Sequence, residues 1–198
     1  NGVVQLTALR EGLSEYTILV SIMSANNEIG TIQPLKEISE IIRNSSVHPL
    51  FHIDHSQGFQ YLDIKLKDFG IDLMTISSHK IYGPKGAGAM YVKNQKSGSN
   101  FIAPIITGGG QEFGFRSGTE NVPAVVGFAK AMELVFNSRE LENKRILRLR
   151  DYFWQGIKKI YPRAELNGPA IKNFWGRLPN NLNIYFPGQS AQDLLVKL

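Results

Sequence analysis

Three short apolar runs constrain this chain more than any other feature. Thr17 to Met23 read TILVSIM, Leu50 to Asp54 read LFHID, and the run from Asp72 to Ser77 reads DLMTIS. Each is short for a helix and continuous rather than alternating, which suits a buried parallel strand. Each ends in polar turn formers. The first meets Ser24-Ala25-Asn26-Asn27-Glu28-Ile29-Gly30, the second His55-Ser56-Gln57-Gly58, and the third Ser78-His79-Lys80. Between the first two runs, Pro34 opens a helical pattern with Leu35, Ile38, Ile41 and Ile42 on one face. Ile64 to Phe69 is a short connector before the third run. Strands alternating with helix or loop at this spacing predict an α/β fold with a parallel sheet.

Ligands gather at strand ends in such folds. Lys80 sits at one of them, beside Ser77, Ser78 and His79. The turn Gly83-Pro84-Lys85-Gly86 and a second apolar run, Ala87 to Val92, follow it. A lysine held in a pocket loses its proton more easily than a free one, as Schiff-base chemistry requires. Hydroxyls, an imidazole and backbone N–H groups suit a phosphate. Lysine with phosphate ligands points to pyridoxal phosphate (PLP). The plain alternative is a solvated lysine after a strand.

Asp54 closes the second run with a carboxylate, and a buried carboxylate needs a partner. A protonated pyridine nitrogen would serve, and PLP enzymes place an acid there. The alternative is that Asp54 caps the segment after it. His52, Asp54 and His55 also raise a metal site, with His52 and Asp54 on one strand face. Three ligands in one stretch, with no carboxylate–histidine partner after them, match the usual ligand sets poorly.

The 198 residues are 42% hydrophobic and 20% charged, enough to bury a core of one domain or one and a half. No apolar run reaches the length of a membrane span, and no signal segment opens the chain. The net charge of +5 would fit nucleic acid, but the basic residues are spread among acids and no aromatic–basic recognition motif is present. An acidic protein partner or an anionic ligand fits as well. There are no cysteines, which excludes disulfides and thiolate metal sites and is consistent with a cytoplasmic protein.

Ile102 to Ile106 is another apolar run. It meets a glycine-rich segment, Gly108 to Thr119, whose glycines would let backbone approach a ligand or another chain closely. This is neither GxxxxGK[ST] nor GxGxxG. From Val122 the pattern is helical to about Ile160, as one helix or two, with a domain change expected near Phe136 to Leu141. The tail predicts a strand at Leu182 to Phe186 and a helix capped by Ser190.

Taken together, Asn26-Asn27-Glu28-Ile29-Gly30, Asp54-His55-Ser56-Gln57, Ser77-Ser78-His79-Lys80 with Ile81 to Gly86, Gly108-Gly109-Gly110-Gln111-Glu112 and Arg116-Ser117-Gly118-Thr119 resemble the cysteine desulfurases in content, order and spacing. These are fold-type I PLP enzymes of the class V aminotransferase group. Any one motif is weak, but the ordered set is specific, and it covers the chain from Thr17 to Leu198.

The resemblance implies residues 1–138 as part of the PLP-binding large domain, a mostly parallel sheet flanked by helices. It implies residues 139–198 as the truncated start of a smaller α+β domain. Lys80 would carry PLP covalently and move protons as acid and base. Asp54 would pair with the pyridine nitrogen, and Gln57 would bond the phenolic oxygen. Asn27 would lie against the cofactor and the substrate carboxylate. Ser77, His79 and the backbone at Ser78 would hold the phosphate, and Thr119 would reach the phosphate of the neighbouring subunit of a homodimer. The implied reaction takes sulfur from L-cysteine, leaving L-alanine and an enzyme persulfide. A sulfur-acceptor protein for iron–sulfur assembly or tRNA thiolation would follow.

Two positions depart from the family: His55 stands where a small residue is common, and Ser78 where glycine is common. The family's nucleophilic cysteine and substrate-carboxylate arginine would lie beyond Leu198. Its Gly-Ala-Thr phosphate loop and ring-stacking histidine would precede Asn1. The chain therefore reads as an internal fragment, inactive and poorly soluble by itself. These motifs do not separate a desulfurase from a selenocysteine lyase or another class V aminotransferase. A truncated, non-catalytic scaffold is the alternative of a different class, although a scaffold need not keep Lys80, Asp54 and Gln57 together.

Overall fold

The computed structural model of the protein describes residues 2–93, 102–171 and 176–197. Its centre is a four-stranded sheet: β1 (Leu19–Met23), β2 (Leu50–Asp54), β3 (Leu73–Ser77) and β4 (Gly88–Val92), in that order. β1, β2 and β3 are mutually parallel, with Met23 opposite Asp54 and Asp54 opposite Thr75. β4 runs antiparallel to β3 and pairs Ser77 with Gly88. The turn after Lys80 therefore folds directly back, and no crossover helix is needed.

Helix α1 (Leu6–Gly12) lies on α2 (Leu35–Arg43). Helix α2 connects β1 to β2 and buries Leu35, Ile38, Ile41 and Ile42, the face expected from the spacing. Burying one such side chain contributes about 2 kcal/mol. Helix α3 (Val122–Ile160) is capped by Asn121, whose side chain accepts from the Ala124 N–H at 3.2 Å. Pro123 fits the first turn of α3, where its missing N–H costs nothing. The core joins Val20, Phe51, Ile53, Met74 and Ile76 of the sheet to Ile38 and Ile42 of α2 and to Phe128, Ala131 and Val135 of α3.

The structure revises one expectation. The strands are not buried on both faces. Along β1, Val20 is 8% exposed, but Leu19 and Met23 are 44% and 43% exposed. The second face instead carries a polar row across three strands. Ser21 Oγ lies 2.7 Å from His52 Nδ1, and His52 Nε2 lies 3.3 Å from Thr75 Oγ1. The apolar run at residues 102–106 forms no strand, and Ile105 is 97% exposed. The stretch where a domain change is expected lies inside α3, which runs unbroken for 39 residues. What changes there is packing: α3 buries Ala124, Phe128, Ala131 and Val135 in its first half and only Arg150 in its second. Beyond α3, the two-residue strands β5 (Glu165–Leu166) and β6 (Ile184–Tyr185) pair antiparallel, and α4 (Ala191–Lys197) follows. Among the described residues no helix is long and apolar enough to cross a membrane.

Candidate active site

Three loops leave the carboxyl ends of three adjacent parallel strands. They carry Asn27 after β1, Asp54 and Gln57 at the end of β2, and Ser77 to Lys80 at the end of β3. Parallel pairing puts these ends on one edge of the sheet, the usual place for a ligand in an open α/β fold.

The first loop is built on Asn26. Its Oδ1 accepts from the N–H groups of Glu28 and Ile29, both at 2.9 Å, closing an Asx turn. Asn27 stands exposed on that turn. Gly30, at φ +71, brings the chain back.

At the end of β2 the chain alternates sides. Asp54 is exposed, and its Oδ1 accepts from the Ser56 N–H at 2.9 Å. The capping reading of Asp54 thus holds locally, and the side chain stays exposed. His55 points the other way, into the core, at 2% exposure. It therefore does not join His52 and Asp54 as a ligand cluster. Its Nδ1 lies 2.8 Å from the hydroxyl of fully buried Ser24, and its ring meets Phe59 edge-on. Burial, and then the Arg139 guanidinium, push its pKa down to about 4, so the imidazole is neutral at neutral pH.

At the end of β3 the chain makes one 3-10 turn, Ser78–Ile81. Ile81 is buried in the core cluster with Ala131 of α3, which anchors the turn. His79 and Lys80 are turned outward and exposed, and Ser77 Oγ lies 3.1 Å from His79 Nδ1. The Ser78 backbone is engaged within the turn. Its N–H donates to the Ala87 carbonyl at 3.1 Å, and its carbonyl accepts from the Gly83 N–H at 3.0 Å. The Ser78 hydroxyl is fully buried without a hydrogen-bond partner. Ser78 shapes the turn.

The structure thus brings Asn27, Asp54, Gln57, Ser77, His79 and Lys80 to one sheet edge. Thr119 lies apart, on an exposed loop pinned by Gln111 Oε1, which accepts from the Gly118 N–H at 3.0 Å. No described contact joins Thr119 to the others. Sequence reasoning passed over Ser24 and the turn-building role of Asn26. The Asx turn was legible in Asn-Asn-Glu-Ile-Gly, whereas the Ser24 partnership, 31 residues away, carried no local signal. A cleft of about 960 Å³ lies elsewhere, between α2, residues 61–64 and α3. Its lining residues, Arg139 and Phe136 among them, include none of those named here.

The donor set suits PLP. An amine, a carboxylate, a primary amide and a hydroxyl–imidazole pair stand at one edge. These are the groups that an aldehyde, a pyridine nitrogen, a phenolic oxygen and a phosphate require.

The aminotransferase class-V family matches residues 1–198. The chain belongs to this family. It is 44% identical over 197 residues to the cysteine desulfurase IscS of Clostridium botulinum, a match covering 100% of this chain and 48% of that protein. The chain spans about half the length of the curated relatives it matches. Among solved structures, a NifS-like protein superposes with a TM-score of 0.87 at 37% identity, covering 98% of this chain and 50% of that one. SspA in complex with cysteine superposes with a TM-score of 0.62 at 39% identity, covering 67% of this chain and 37% of that one. The chain is thus similar to cysteine desulfurases, and its mostly parallel sheet flanked by helices is the fold it shares with these structures.

Proposed function

We propose that this chain is the cofactor-bearing part of a PLP-dependent cysteine desulfurase. The observation that carries the reading is the arrangement of Asn27, Asp54 and Lys80 on the loops after three adjacent parallel strands. Identity to IscS over the whole chain and the structural likeness to a cysteine-bound relative support the substrate.

When bound, PLP supplies an electron sink that weakens the bonds at the substrate α-carbon. The residues of this chain do the rest. Lys80 holds the cofactor and carries protons to and from the α-carbon. Asp54 keeps the ring nitrogen protonated. Gln57 donates its amide N–H to the phenolic oxygen, and Asn27 orients the substrate carboxylate. Ser77 and His79 donate to the phosphate, which Thr119 reaches from a neighbouring subunit. The C–S bond of L-cysteine breaks, Cβ gains a proton to give L-alanine, and the sulfur joins a cysteine thiol outside this chain as a persulfide. Exposed Val122, Val125 and Val126 on α3 support a homodimer. A cytoplasmic enzyme of two domains, near residues 1–138 and 139–198, handing sulfur to an acceptor protein for iron–sulfur assembly or tRNA thiolation, completes the reading.

The test is to incubate the full-length protein with L-cysteine and a thiol and to quantify both products. Equal amounts of alanine and sulfide are expected. A PLP-containing protein that forms neither would contradict the proposal.

A further inference from the structure

The loop that carries Asn27 is held from a distant part of the chain. The Glu28 carbonyl accepts from Asn181 Nδ2 at 2.8 Å and from Asn183 Nδ2 at 3.2 Å. The Glu28 N–H is meanwhile bound to Asn26 Oδ1 at 2.9 Å. Both polar groups of the residue after Asn27 are therefore fixed. The backbone adds to the clamp: the Leu178 N–H donates to the Gly30 carbonyl at 2.8 Å, and the Ile32 N–H to the Gly176 carbonyl at 3.0 Å.

The clamp has a built orientation. Arg177 Nη1 donates to Asn181 Oδ1 at 2.6 Å. An arginine has only donors, so the oxygen of Asn181 must face it and the NH2 must face Glu28. Arg177 is itself fully buried. Its Nε donates to the Pro169 carbonyl at 2.8 Å and its Nη2 to the Asn167 carbonyl. No carboxylate pairs with it among the described residues. Asn183 is set in the same way, because its Oδ1 accepts from Asn167 Nδ2 at 2.9 Å. Gly30 leaves the room. A Cβ there would lie 2.6 Å from Asn181 Cγ.

We propose that Asn181, oriented by Arg177, is a positioning residue for Asn27. It ties the contact with the substrate carboxylate to residues 177–183, which lie within the proposed second domain. The inference rests on the desulfurase reading, in which Asn27 meets substrate. A shift of residues 177–183 would move the Glu28 peptide, and Asn27 with it, while the Lys80 turn, held by α3, stays in place.

The variant Asn181→Asp isolates this role. It keeps the shape and gives the buried Arg177 an anionic partner, but it turns an acceptor toward the Glu28 carbonyl. The experiment compares full-length wild type with N181D by visible absorbance and by cysteine kinetics. N181D is expected to keep the cofactor band and most of kcat, while KM for cysteine rises about tenfold, the loss of one well-made bond to the loop. If N181D does not fold, Asn183→Ala removes the longer of the two donors and is expected to raise KM about threefold. An N181D protein with wild-type KM, or an N183A protein with wild-type KM where N181D fails to fold, overturns the inference and leaves the desulfurase reading standing. A wild-type protein without the cofactor band overturns both.

Discussion

The hydroxyl of Ser24 lies 2.8 Å from Nδ1 of His55, and both side chains are buried, Ser24 one residue beyond β1 and His55 one residue beyond Asp54 at the end of β2. The Leu62 backbone raises the pKa of the imidazole, but by less than burial lowers it. A position where the family commonly has a small residue is filled here by a neutral, buried histidine. Gly58 makes the space: a Cβ there would lie 2.4 Å from Ser24 Oγ and 2.7 Å from His55 Nδ1.

This pair predicts a pH dependence of stability. Burial lowers the His55 pKa from 6.5 to about 4. Between those values the unfolded chain binds a proton that the folded chain does not. The contribution is therefore complete above pH 6.5 and is lost as pH falls toward 4, to a total of about 3 kcal/mol. Thermal unfolding of the full-length protein should show this slope, and His55→Gln should flatten it. An equal slope in both proteins would refute it.

Arg139 is the second cause of that low pKa. Its guanidinium lies 5.1 Å from the Phe136 ring centre and 5.8 Å from that of Phe59, and it donates to Asp63 Oδ1 at 2.9 Å. Arg139→Met removes the charge at similar length. The His55 pKa should rise but stay below its ordinary value, because burial remains the larger cause. Stability should fall by about 2 kcal/mol through the lost hydrogen bonds and ring contacts. Titration of the His55 ring proton resonances by NMR reads the first effect, and thermal unfolding the second.

Ser78 and Gly83 predict a coupled pair. A Cβ at Gly83 would meet Ser78 Oγ at 2.3 Å and Ala131 Cβ at 3.2 Å. Gly83→Ala should cost about 2 kcal/mol by overpacking. Adding Ser78→Gly should recover more than half of that loss, since it removes the closest atom. Ser78→Ala alone should stabilise the protein by about 1 kcal/mol, because the buried hydroxyl has no partner. A double-mutant cycle by thermal unfolding checks all three values.

The elements legible in the sequence were those with local patterns. LFHID is β2 residue for residue, and α2 buries the four residues its spacing named. Helix α1 was not legible, because its seven residues bury none of their side chains. Strand β5 has two residues and exists only through β6, some twenty positions later. The run at residues 102–106 shows the reverse case, in which apolar residues alone do not make a strand. At the site, exposed polar residues after strands were legible as a set. The supports behind them were not: Ser24 with His55, and Asn181 with Glu28 at 153 positions apart, are pairings that only the fold creates.

The central claim is that Lys80, at the end of β3, holds the cofactor. The most direct measurement is the visible absorbance of the full-length protein before and after borohydride, followed by peptide mapping, in wild type and Lys80→Ala. A visible band that borohydride abolishes, with the reduced cofactor mapped to Lys80, is the predicted result, and Lys80→Ala should carry no trapped cofactor. A protein that stays colourless with added PLP, or one whose cofactor maps to another lysine, would contradict the account.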